Sequence, residues 1–182
     1  MSGRFLTRSE WVETLHAFQH TAFRLETREN YSEPEEEPII HRFLDSGEID
    51  ESYMDDWIAE LAPRLSAGER MERVRVVSEP HSDYTRFGLA LARFNIQAGE
   101  DIRYLSRPRA ARLDLPDHDF WLIDSTTLLI LRFGNDDVLL GADLVTDPAV
   151  VVKHCYYRDV AQQYAIPWQE YTKQNVHLRE GL

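Results

Sequence analysis

Chemistry in this chain of 182 residues is concentrated in a few groups of side chains. Ser78-Glu-Pro-His-Ser-Asp83, followed by Tyr84 and Arg86, brings hydroxyls, an imidazole and a carboxylate together. Ser106-Arg-Pro-Arg109 adds arginine, and from Arg103 to Arg112 there are four arginines and no acid, a basic island in a chain of formal net charge -12. The guanidinium fork matches the paired oxygens of phosphate and carboxylate. Arg75, Ser78, Ser82, Asp83, Tyr84, Arg86, Arg103 and Arg107 therefore form a candidate site for a small anionic ligand. If that edge is catalytic, His81, Asp83 and Tyr84 are its general acid–base groups. The competing reading is that Arg107, Arg109 and Arg112 pair with the acidic residues of the N-terminal half.

Glu13, His16 and His20 stand at i, i+3 and i+7, on one helix face opposite Trp11 and Leu15. A carboxylate with two imidazoles is a candidate metal set, and the same spacing also arises on an ordinary polar helix face. Asp117-His118-Asp119 reads as a loop. Neither Ser78 nor Ser82 lies in the Gly-x-Ser-x-Gly turn that exposes a hydrolase nucleophile. Cys-x-x-Cys, phosphate-binding glycine-rich and His-Glu-x-x-His patterns do not occur, nor does the His-x-Lys of phospholipase-D-type phosphodiesterases. These motifs imply no cofactor, and they favour a non-enzymatic role over an enzymatic one.

The elements that must position these groups read as follows. Thr7 with Glu10 starts a helix, and Trp11, Leu15, Phe18 and Ala22 form its apolar stripe. Phe23-Arg-Leu-Glu26 alternates into a short strand. Helices are predicted over 39–44 and 53–65. A strand at 73–77, a helix at 82–95 and a strand at 102–105 make a parallel crossover. Its strands both end in serine, so their exits should share a rim. Strands at 119–124, 128–133 and 138–145 make an antiparallel meander. Asp147-Pro148 caps a long helix to about 165, and a short piece follows near 168–171. The predicted fold is α/β, on the α+β border: a mixed sheet with helices packed on it. It forms one domain, with a mainly helical, acidic part at 1–66 and an α/β core at 67–182.

Composition narrows the setting. Hydrophobic residues make up 43% of the chain and aromatics 11%, enough to build a core. Apolar runs such as Thr127–Leu131 are strand-sized, and no membrane segment or secretory signal is expected. Cys155 is the single cysteine, which suits a reducing cytoplasm. Between Glu26 and Glu60 stand thirteen acids and two arginines, nearly the whole charge excess. That segment is either a dock for a basic partner or a solvated face. Direct nucleic-acid binding is not expected, because the chain would repel a phosphate backbone.

A resemblance rests on several of these segments together. They are Phe23-Arg-Leu-Glu26 with Tyr31, Arg73-Val-Arg-Val-Val-Ser-Glu-Pro80, Ser82-Asp-Tyr84 with Arg86, Ala98-Gly-Glu100, Asp119-Phe-Trp-Leu-Ile-Asp124, Asp147-Pro148, and Ala165-Ile-Pro167 with Tyr171. In combination they resemble an actinobacterial family of domains of unknown function, often encoded near helix-turn-helix regulators of the XRE type and their small partner proteins. The final third is also distantly similar to the sensor domain of those regulators, though no helix-turn-helix is present. The resemblance implies a regulatory or interaction protein that partners such a regulator or its small companion. The runner-up is an enzyme acting on a phosphorylated or carboxylated small molecule, or a phosphodiester, at the Ser78–Asp83 and Arg107 edge.

Overall fold

A computed structural model describes residues 3–175. In chain order the elements are β1 (Arg4–Leu6), α1 (Arg8–His16), β2 (Thr21–Glu26), α2 (Glu37–Ser46), a 3-10 turn, α3 (Asp55–Ser66), β3 (Arg70–Val77), α4 (Asp83–Ala98) and β4 (Asp101–Ser106). There follow α5 (Arg107–Ala110), β5 (Phe120–Ile123), β6 (Thr127–Phe133), β7 (Leu139–Val145), α6 (Pro148–Tyr164), β8 (Ile166–Pro167) and α7 (Trp168–Gln174). The strands form one mixed sheet in the order β1-β7-β6-β5-β2-β3-β4-β8. Strands β2, β3 and β4 run parallel, and β5, β6 and β7 make the antiparallel meander. The mixed α/β architecture read from the sequence is present.

The crossover β3-α4-β4 joins neighbouring parallel strands, with Val77 opposite Ser106, so the two serine exits lie side by side. Ser82 caps α4 by accepting from the Thr85 N–H at 3.1 Å, and Gly99, in the left-handed region at φ 109°, ends the helix. Asp147 caps α6 through the Ala149 and Val150 N–H groups.

Two differences from the sequence reading concern the N-terminal part. Helix α1 stops at His16 instead of running on towards Ala22. The Asp124 carboxylate accepts from the backbone N–H groups of Gln19, His20 and Thr21 at 2.9, 2.8 and 2.8 Å, which fixes a turn where the helix was expected. Strand β2 is also no marginal extension. It sits at the sheet's centre, between β5 and β3. The short β1, β8 and α5 have no counterpart in the sequence reading.

Each face of the sheet has its own layer. On one, Phe23, Leu25, Val74, Val76, Phe120 and Leu122 pack under α6 residues Val151, Tyr157 and Ala161. The other is covered by α1 and α3, which pack Leu15 and Leu61 against Met71, Trp121 and Leu129. Helices α2 and α4 join through Phe43, Phe87, Ala90 and Phe94. Among the described residues no helix is long and apolar enough to cross a membrane.

Candidate functional site

Strand alternation sends Phe23 and Leu25 to the α6 side and Arg24 and Glu26 to the opposite side. The same period in β3 sends Val74 and Val76 one way and Arg73 and Arg75 the other. The parallel register sets Arg24 beside Arg73 and Glu26 beside Arg75, so a layer of charge forms under the helices. Arg73 Nη1 donates to Glu26 Oε1 at 2.9 Å, and Arg75 Nε donates to Glu26 Oε2. Arg73 Nε reaches Glu100 at 2.8 Å, and Arg24 Nη2 reaches Asp119 at 3.1 Å. Burial pushes the Glu26 carboxyl up, but the guanidiniums of Arg75, Arg73 and Arg24 outweigh it and hold it at about 2.

Above this floor is a cavity of about 460 Å³. Trp121 continues the floor, and Tyr84, Phe87 and Gly88 of α4 form one wall. Trp11 of α1 and Trp57 of α3 line it as well, and Tyr31, Glu33, Glu36 and Tyr53 come from the acidic segment. The Glu33 and Glu36 carboxylates and the Asn95 amide oxygen that line it are occupied. Glu36 takes the hydroxyls of Tyr84 at 3.1 Å and Tyr53 at 3.3 Å, Glu33 pairs with Arg8 at 2.7 Å, and Asn95 takes the Trp57 N–H at 3.0 Å. Burial raises the Glu36 carboxyl above its ordinary range, against the lowering effect of the Tyr84 hydroxyl. Among the described residues, three buried donor atoms of the lining have no hydrogen-bond partner: Arg75 Nη1, Arg24 Nε and Trp11 Nε1. Buried donors without partners are costly, and an acceptor-rich guest relieves that cost.

Of the ligand residues expected from sequence, Arg75 and Tyr84 meet in this cavity. The others go elsewhere. Arg107 donates to Glu29, to Ser78 Oγ and to the carbonyls of Thr27 and Val76. Ser78 binds Glu29, Arg103 binds Asp101 and the Gln162 carbonyl, and Arg86 binds Asp83 on the surface. Ser82 serves as the cap of α4. His81 lies between the Ser78 carbonyl at 2.7 Å and the Tyr171 hydroxyl at 3.0 Å, so His81, Asp83 and Tyr84 each face a different partner. His16 pairs with Glu60 at 2.9 Å, and His20 lies in the turn beyond α1, off the face of Glu13 and His16. Among the described residues no three His, Cys, Asp or Glu side chains gather as a metal set.

The sequence reading passed over Arg24, Glu26, Arg73, Trp11, Trp57 and Trp121 as site residues. Their signal was the charged alternation in two strands, which turns inward only once helices cover that face.

A second polar pair lies on the α6 side. His154 Nδ1–H donates to the Val150 carbonyl at 2.8 Å, leaving Nε2 to accept from His118 Nε2–H at 3.1 Å. Burial lowers both imidazoles; the neighbouring His154 lowers His118 further, and Lys153 lowers His154 against the Val150 bond. Their folded pKa values lie below the unfolded value of about 6.5, so the unfolded chain takes up more protons. The stability they contribute is present above pH 6.5 and is lost as pH falls through that value. Urea midpoints measured between pH 7.5 and 5.5 should fall, and His154→Gln should flatten the slope. An unchanged slope in that variant would assign the acid sensitivity to other groups.

The fold is similar to that of a phospholipase D family member, Nuc from Salmonella typhimurium, with a TM-score of 0.53 at 10% identity over 91% of this chain and 97% of that one. It is also similar to NucT from Helicobacter pylori, with a TM-score of 0.52 at 7% identity over 91% and 98%. At such identities the likeness concerns the fold alone. None of the curated proteins matches the sequence. A family model described as Domain of unknown function (DUF6879) matches residues 9–173.

Proposed function

The chain belongs to that family, a domain of unknown function, and we propose that it is a non-enzymatic regulatory protein that binds a small anionic ligand in the arginine-floored cavity. One observation carries the reading: the unpartnered buried polar atoms of the lining are all donors, while the carboxylates on the floor are already shared among arginines. Such a site attracts acceptors. Its roof comes from the acidic segment through Glu33, Glu36, Tyr53 and Trp57. A guest touching these residues biases the elements that carry most of the chain's excess charge, which gives a route to a protein partner. We take that partner to be an XRE-type regulator or its small companion in an actinobacterial cytoplasm, with the regulator and not this chain contacting DNA.

The test is native mass spectrometry of protein purified from its own host, which reads a bound molecule and a bound protein together. The wild type should carry a small-molecule mass that Arg75→Met loses while keeping its circular dichroism spectrum. Protein recovered at native abundance with neither added mass nor partner would sink the reading.

A second reading is an enzyme acting on a phosphodiester, and the fold likeness to a phospholipase D family member favours it. It needs His81, Asp83 and Tyr84 to rearrange towards one substrate. Turnover of bis(4-nitrophenyl) phosphate that disappears in His81→Ala would put it ahead.

A further inference from the structure

The cavity also constrains the kind of anion it takes. We propose that its ligand is a planar aromatic acid bearing a single negative charge, with the carboxylate on Arg75 and Arg24 and the ring between the aromatic walls. This deepens the anion-binding reading and rests on it.

The polar demand lies at the floor. Arg24 is only 7% exposed, yet its Nε has no hydrogen-bond partner among the described residues, and Arg75 Nη1, packed against Gly88, has none either. The walls make the opposite demand. Trp11, Trp57, Trp121, Tyr31, Tyr84 and Phe87 line the space. The polar ends of three of them are already taken: Trp57 by Asn95, Tyr84 by Glu36, and Tyr31 by Asp119. What these walls offer a guest is ring surface, which favours offset or edge-on contact with another ring. A volume of about 460 Å³ fits a small molecule of that kind.

Charge sets the valence. The lining holds Arg8, Arg24, Arg73 and Arg75 against Glu26, Glu33, Glu36 and Asp56. Glu33, Glu36 and Asp56 stand towards the roof, and burial already raises Glu36. A second negative charge on the guest would face these carboxylates, whereas a neutral or cationic far edge is accepted there.

Gly88 supplies a second variant, one that keeps the Arg75 side chain and moves it. A Cβ at this helical position would stand 1.8 Å from Arg75 Nη1, so alanine displaces the guanidinium from the floor. Alanine is the better helix former, which supports α4. The experiment is isothermal titration calorimetry with indole-3-acetate, indole-3-acetamide, cyclohexylacetate and phenyl phosphate. Indole-3-acetate should bind at least tenfold tighter than the other three, and Gly88→Ala and Arg75→Met should each weaken it tenfold or more. Equal binding of cyclohexylacetate, or tighter binding of phenyl phosphate, overturns the aromatic monoacid and leaves the anion cavity standing. Equal binding of the uncharged acetamide overturns both. Heat from none of the four probes overturns the aromatic monoacid. The anion cavity then fails as well if Arg75→Met leaves the native mass spectrum of the host-purified protein unchanged.

Discussion

Glu26→Ala is expected to destabilise the protein by roughly 3–5 kcal/mol, the range for removing one partner of a buried ion cluster. Glu26 is 5% exposed and accepts from Arg73 and Arg75, with Arg24 Nε 3.6 Å away. Arg24 would keep Asp119 and Arg73 would keep Glu100. Arg75 would be left without a carboxylate partner among the described residues. Urea unfolding monitored by tryptophan fluorescence measures the loss. The same carboxylate gives a pH signature. Because its folded pKa of about 2 lies below the ordinary value of 4.5, its contribution is present above pH 4.5 and is lost as pH falls from there towards 2. In Glu26→Gln the acid limb should be shallower. An unchanged midpoint in Glu26→Ala would mean that the arginines are solvated and that the cluster is not a buried one.

The second large effect is expected at Asp119, whose side chain is fully buried. It accepts from Arg24 Nη2 at 3.1 Å, from the Thr27 N–H and hydroxyl at 2.8 Å each, and from the Tyr31 hydroxyl at 2.6 Å. It is the peg that ties the loop after β2 to the strand beside it. Asp119→Ala leaves the Arg24 guanidinium only its longer Glu26 contact and strips the Thr27 N–H and the Tyr31 hydroxyl of their acceptor, at an expected cost of about 3 kcal/mol or more. It also frees Tyr31, a cavity wall, so ligand affinity should fall with stability. Hydrogen exchange at the Thr27 amide separates a local loss from a global one. Protection unchanged there would show that the loop is held by something else, such as the Ser32–Val138 bridge.

What the sequence made legible depends on how local each signal was. The Thr7 and Glu10 start and the Asp147-Pro148 start need only neighbouring residues, and both helices begin where those signals put them. The three meander strands likewise stand within a residue of the positions read from local alternation. The end of α1 was hidden because it is fixed by Asp124, more than a hundred positions away. Strand β2 read only as a short strand after the first helix, and the burial of Arg24 and Glu26 depends on helices that local periodicity does not reveal. The site was partly visible. Arg75 and Tyr84 were named from strand and helix position, and the family resemblance quoted segments that meet at the cavity, among them Arg24–Glu26, Tyr31, Arg73 and Trp121. What sequence spacing lacked was the register that sets Glu26 against Arg75, and it could not tell Arg75 from Arg107, which pairs with Glu29.

The central place of β2 also dictates an order of assembly. Its neighbours are Arg70–Val77 on one side and Phe120–Ile123 on the other, while Arg4–Leu6 waits for Ala142–Leu144. On the ribosome, Phe23 and Leu25 therefore emerge about a hundred residues before their second neighbour, which at roughly 5–20 residues per second is on the order of 5–20 s. A nascent chain halted before residue 120 holds the middle strand of a sheet with one side unpaired. It should be captured by chaperones and cut by protease far more readily than a chain extended past Val145.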